Sequence, residues 1–173
     1  MSKSIDPNLI EGWLKDLQCK PVRGIAPSAN WRFEVDYPPT TQHKISVINP
    51  KVPSRAVVVA CGTNLSPMHV AAFEGLDNDE KREFIFALQE ALNRDRIEFQ
   101  VHGSDLMGTK CPTGIQLMSV IFDDGLSLDA LGQRLLQVMK TEIAGGICIN
   151  RFLGPVNDSG GSGEFAFRRL GIQ

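Results

Sequence analysis

At 173 residues the chain has the length of one domain, able to bury roughly 70% of the surface its unfolded form exposes without a metal or a disulfide. Its 18 basic and 20 acidic side chains leave a formal charge of -2 with no block of either sign, which argues against a nucleic-acid partner and an anionic membrane. No apolar run approaches the ~20 residues of a membrane span, Met1–Asn8 holds no apolar signal core, and Cys19, Cys61, Cys111 and Cys148 are scattered with no C-x-x-C pair, so a cytoplasmic protein with reduced thiols and no cofactor is expected.

The first element predicted is a helix over Ile5–Leu17, capped by Asp6 and opened by Pro7, with Ile10, Trp13, Leu14 and Leu17 on one face. Lys20–Asn30 holds Pro21, Gly24 and Pro27 and is expected to be a loop. Trp31, Phe33, Val35 and Tyr37 alternate with Arg32, Glu34 and Asp36, the period of a strand with one wet face. A second strand runs within Thr41–Asn49. A third, Ala56–Cys61, is apolar on both faces and therefore expected to be central.

Ser66-Pro67 and then Asp77 with Glu80 are two helix starts, the latter with capping-box spacing. Phe84, Ile85, Leu88, Ala91 and Leu92 continue from it as a helical stripe, and Ile97, Phe99 and Val101 alternate as a fourth strand. A long connection, Gly103–Gly114, leads to a fifth strand, Ile115–Phe122. Ser127 caps a last helix with apolar positions from Leu128 to Ile147 that reaches Leu153. Gly145 and Gly146 interrupt it at a cost of about 1 kcal/mol each relative to alanine, so either they kink the helix or something offsets them, a close backbone approach being one candidate. The expectation is an α+β fold of order α-β-β-β-α-α-β-β-α, an antiparallel five-stranded sheet with helices packed on one face. Residues 1–154 form the domain; residues 155–173 are a glycine-rich linker and tail.

Asn64-Leu-Ser-Pro-Met-His69, Phe73–Leu76, Asp79-Glu-Lys-Arg-Glu-Phe84, Ile97-Glu-Phe-Gln100 and Arg151-Phe-Leu-Gly154 resemble the uncharacterised domain-of-unknown-function family 2299. The likeness covers about Ile5–Gly154, and the element order resembles the type III secretion chaperone-like fold. What the resemblance implies is that fold, a small cytoplasmic protein and a homodimer. It brings no catalytic residue.

Three sets of residues invite chemistry. Ser66, His69 and Asp77 have the types of a nucleophile, base and orienter, but a serine that caps a helix is occupied by backbone N–H groups, so a cap and a surface histidine are expected. His102, Asp105, Lys110 and Cys111 gather around the Gly103–Gly114 connection, with Cys61 at the end of the central strand, yet no pair has zinc-ligand spacing. Gly160–Gly163 lacks the strand before it and the lysine after it that a phosphate loop requires.

Phe86 lies off the main stripe of its helix, so that helix is apolar over more than one face. The two-sided strands Val57–Ala60 and Met118, Val120, Phe122 carry more apolar surface than one set of helices covers, which calls for a partner. The expected function is thus a non-enzymatic, homodimeric, chaperone- or adaptor-like module that binds a peptide or protein client, with Phe86, Gly145, Gly146, Phe165 and Phe167 as candidate contact residues. Glu164–Arg168 is expected to cover a sheet edge or an apolar groove. The alternative is a small enzyme or ligand-binding protein using His102, Asp105, Lys110 and Cys111.

Overall fold

A computed structural model describes residues 5–40, 43–93, 97–105 and 109–155. In chain order they form α1 (Pro7–Asp16), β1 (Val22–Gly24), β2 (Ala29–Asp36), β3 (Lys44–Pro50), β4 (Ala56–Asn64), α2 (Pro67–Glu74), α3 (Asn78–Leu92), β5 (Glu98–His102), β6 (Gly114–Phe122), a single 3-10 turn at Asp123–Gly125, and α4 (Leu128–Leu153). The fold is α+β, with a sheet of strand order β1-β2-β3-β4-β6-β5. It has six strands where five were expected. The added one, β1, falls in the stretch read as a loop and pairs antiparallel with β2, Arg23 opposite Phe33 and Gly24 opposite Arg32. Three residues next to prolines and glycine show no period of two, so only pairing reveals it.

The described residues divide into two compact units, the first comprising 5–61 with 118–140, the second 62–117 with 141–155. The elements β4, β6 and α4 each continue from one unit into the other.

In the first unit, Asp6 accepts from Asn8 N–H (2.9 Å) and starts α1, whose Ile10 and Leu14 are fully buried. The indole N–H of Trp31 donates to Ile5 O (2.9 Å), and Arg23 reaches Glu11 while lying over the Phe33 ring, so α1 covers the sheet face that carries Trp31 and Phe33. The register places Val47 and Val59 in the same row as Phe33, and all three are buried, as are Leu131, Leu135 and Val138 of α4. Each such side chain contributes about 1.5 to 3 kcal/mol by leaving water. The buried Asn49 fastens the β3–β4 turn, donating through Nδ2 to Ser54 O (2.8 Å) and Ala56 O (2.7 Å) and accepting from Asn30 Nδ2 (2.8 Å).

In the second unit both predicted helix starts are present. Ser66 Oγ accepts from His69 N–H (3.3 Å), and Asp77 accepts from Asp79 and Glu80 N–H (2.9 Å each) while Glu80 accepts from Asp77 N–H (2.9 Å). The α3 stripe is buried at Phe84, Ile85, Leu88 and Leu92, with Phe84 between Phe73 and Phe152 (ring centroids 5.8 and 5.7 Å apart). Gly145 is a close approach of α4: a Cβ there would stand 2.9 Å from Leu92 Cδ2 and 3.6 Å from Ile115 Cδ1. Gly145 and Gly146 are both buried. The space at Gly145 is therefore taken inside the unit by Leu92 of α3 and Ile115 of β6. The helix ends at Gly154, whose positive φ of 83° suits glycine.

Candidate functional site

The residues that invite chemistry are each engaged locally. The Nε2–H of His102 donates to Gln116 Oε1 (3.3 Å). Asp105 accepts from the Thr109 backbone and hydroxyl (2.8 Å each) and from Lys110 N–H (3.4 Å), and these bonds, the Thr109 hydroxyl first, hold its carboxyl below the ordinary carboxylate range. Asp105 is thus the internal tie of its own connection. The Cys111 thiol faces Pro112 O (3.4 Å) and is pushed up to about 11, chiefly by burial and then by the Glu74 charge, against the opposing effect of Lys81. It is far from the thiolate a nucleophile needs at neutral pH. Lys110 is exposed, and among the described residues no hydrogen bond or ion pair joins His102 or Cys111 to Asp105 or Lys110.

The Ser66, His69, Asp77 combination is likewise resolved into structure. Ser66 and Asp77 cap separate helices. His69, expected at the surface, is 2% exposed, and its Nε2–H donates to Gly154 O (3.1 Å) at the end of α4. That carbonyl lies past the helix and needs a donor, and a histidine one turn into α2 supplies it. Its Nδ1 is buried without a partner. Cys61 is a buried thiol of β4, and the described residues contain no group of three or more His, Cys, Asp or Glu able to hold a metal.

What the first unit does present is the other face of its sheet. Register aligns Arg32 with Ile48 and Val58, and Glu34 with Ser46 and Ala60, all opposite the covered row of Phe33, Val47 and Val59. On β6, buried Ser119 and Ile121 alternate with half-exposed Met118 and Val120, and Phe122 is 55% exposed. On this face Ser46 and Ala60 are buried while Ile48 and Val58 stay half-buried, and β6 adds half-buried Met118 and Val120 with an exposed Phe122 at its end. Its margin is charged but internally neutralised. Arg32 donates to Glu34 (2.9 Å) and Ser46 Oγ (3.1 Å), Lys44 pairs with Asp36 (3.9 Å), and Arg55 pairs with Asp123 (2.6 Å). Sequence reasoning anticipated the apolar character of β4 and β6 but missed Ile48, whose membership of the row depends on the β2–β3–β4 register.

In the second unit Phe86 stands on the outer side of α3, 70% exposed. Phe165, Phe167 and the Glu164–Arg168 segment lie outside the described residues, as does the Gly160–Gly163 run. No helix among the described residues is long and apolar enough to cross a membrane.

The sequence matches the family model described as "Uncharacterized conserved protein (DUF2299)" over residues 6–151. Among solved structures, the chain is similar to the crystal structure of an uncharacterized protein from Methanothermobacter thermautotrophicus, with 26% sequence identity and a TM-score of 0.76 over 85% of this chain and 98% of that one. No curated protein matches. With the match spanning most of its length, the chain belongs to the DUF2299 family of uncharacterized conserved proteins.

Proposed function

We propose that the protein is a non-enzymatic, chaperone- or adaptor-like binding module that works as a homodimer in the cytoplasm and takes an unfolded or extended polypeptide on the open sheet face of its first unit. One observation carries this reading: a sheet face whose centre, Ile48, Val58, Met118 and Val120, stays half exposed beside a more exposed Phe122. Such a face loses free energy to water at roughly 25 cal/mol per Å² and recovers it by docking apolar side chains. Because Arg32, Lys44 and Arg55 are paired with acids of the same unit, the margin selects neither an acidic nor a basic partner. That suits clients recognised by exposed apolar side chains. A type III secretion chaperone-like architecture is part of this proposal, by analogy alone. The enzymatic alternative has no support from the Gly103–Gly114 connection, where Asp105 is tied to Thr109 and the Cys111 thiol is held protonated.

The test is suppression of aggregation of a reduced, carboxymethylated polypeptide, followed by light scattering. The wild-type chain is expected to suppress it, and Val58→Lys with Val120→Lys to abolish the effect while leaving the far-ultraviolet circular dichroism unchanged. Equal suppression by the double variant, or none by the wild type, overturns the reading.

A further inference from the structure

We infer that the second copy of the chain docks along β5, the two β5 strands pairing antiparallel about Gln100. The inference rests on the dimeric part of the proposed function and supplies its seat. Among the described residues β5 is the last strand on its side of the sheet, and its five residues contain no proline and no lysine, with Glu98 their one formal charge. The opposite edge is guarded: β1 has three residues, Pro21 before it and Arg23 and Gly24 within it. An unguarded edge is a template for another strand.

Backbone direction fits. His102 C=O accepts from Thr113 N–H (2.8 Å) and so points back toward the β6 side. By the alternation of a strand, the N–H and C=O groups of Phe99 and Val101 point outward, away from β6. A twofold axis at Gln100 then sets Phe99 of one copy opposite Val101 of the other, twice, in hydrogen-bonded positions, giving four backbone hydrogen bonds.

The side chains decide which occupant fits. Read antiparallel against itself, Glu98-Phe-Gln-Val-His102 places Glu98 opposite His102, Phe99 opposite Val101 and Gln100 opposite Gln100. Every pair is complementary: a carboxylate with an imidazole, an aromatic with a β-branched side chain, an amide with an amide. Glu98 and Gln100 are exposed and His102 is half-buried, with its Nε2–H on Gln116, while Phe99 and Val101 are half-buried on the other face. The Glu98/His102 and Gln100/Gln100 pairs occupy non-hydrogen-bonded positions, where opposing side chains come closest. A strand of arbitrary sequence does not match all of these positions, whereas a second copy does.

The experiment measures the mass and dimer dissociation constant of the full chain by analytical ultracentrifugation, with amide exchange at Phe99 and Val101 as a second readout. Expected are a wild-type mass of twice 19.0 kDa and slow exchange at both amides that speeds up on dilution. Gln100→Lys sets like charges across the axis and Glu98→Lys removes the carboxylate that faces His102, and the two are expected to raise the dissociation constant about 3- to 30-fold, since each pair occurs at or across the twofold and is worth up to about 1 kcal/mol per occurrence. Glu98→Lys combined with His102→Glu restores opposite charge and is expected to return affinity to within about 3-fold of wild type. All three positions are exposed or half exposed, so the variants keep the fold. A dimer indifferent to Gln100→Lys and to Glu98→Lys overturns the β5 seat while leaving the dimer standing. A monomer overturns both. A monomer with protected Phe99 and Val101 amides identifies the occupant as another segment of the same chain and equally overturns the inference. Client capture is scored separately, so its failure does not imitate any of these.

Discussion

Gly145 of α4 and Leu92 of α3 meet so closely that a Cβ at 145 would lie 2.9 Å from Leu92 Cδ2 and force it to shift. The glycine that costs helix propensity is offset by the packing of Leu88, Leu92 and Ile115 around it, all three buried. Gly145→Ala gains about 1 kcal/mol of helix propensity and loses about 1 to 3 kcal/mol to overpacking, a net destabilisation of up to about 2 kcal/mol in urea unfolding. The contacted atom ends a flexible side chain, so the loss falls at the lower end for alanine and at the upper end for leucine. Leu92→Ala alone opens a void and costs about 2 to 5 kcal/mol; combined with Gly145→Ala it is expected to cost less than the sum, by about 0.5 to 3 kcal/mol. Strict additivity would show that the two residues are not in contact.

Asn49→Ala is expected to be among the costly single changes in the first unit. It leaves the buried Ala56 carbonyl oxygen without this donor at about 1 to 3 kcal/mol, and removes bonds to the part-buried Ser54 carbonyl and to the Asn30 amide, which still donates to Pro50 O. Thermal melting should show a fall of several degrees. Asn49→Asp retains the acceptor for Asn30 but not the two donors, and should recover only a small part of it.

Cys111 supplies a pH test. Its folded thiol is raised to about 11 from an ordinary 9.0, chiefly by burial, so the native state holds its proton through a window in which the unfolded chain has released it. The sign follows: this contribution to stability is fully present below pH 9.0 and is lost as pH rises toward about 11. Cys111→Ser is expected to flatten that alkaline decline in denaturant unfolding. Alkylation of the native thiol at pH 8 should be slow compared with the same thiol in urea; equal rates would contradict the burial.

Cys61→Ser is expected to cost more than Cys111→Ser, because Cys61 lies 4% exposed in β4 whereas Cys111 is only partly covered. Exchanging a buried thiol for a more strongly hydrated hydroxyl inside an apolar strand costs about 1 to 3 kcal/mol. Chemical denaturation of the two single variants side by side checks the order.

The local devices of this protein are its sequence made visible. Asp77 finds Asp79 and Glu80 N–H two and three residues away, Ser66 finds His69 N–H at three, and the Phe84, Ile85, Leu88, Leu92 stripe is buried as its period requires. Each depends on neighbours along the chain, so no tertiary information is needed to read it. The alternation of Trp31–Tyr37 and Ile115–Phe122 likewise announces strands. The tertiary structure decided the rest. Val22–Gly24 is a strand only because β2 pairs with it. His69 is buried because a carbonyl 85 residues later sits over its ring nitrogen. Gly145 is needed because Leu92 arrives from another helix. The half-buried face joins Ile48 to Val58 through a register that a one-residue slip of either strand would break, turning one of the two to the other face. Periodicity states which residues share a face of one strand; only pairing states which strands share it, because the energy that selects a register comes from burial across strands and not from any single stretch of chain.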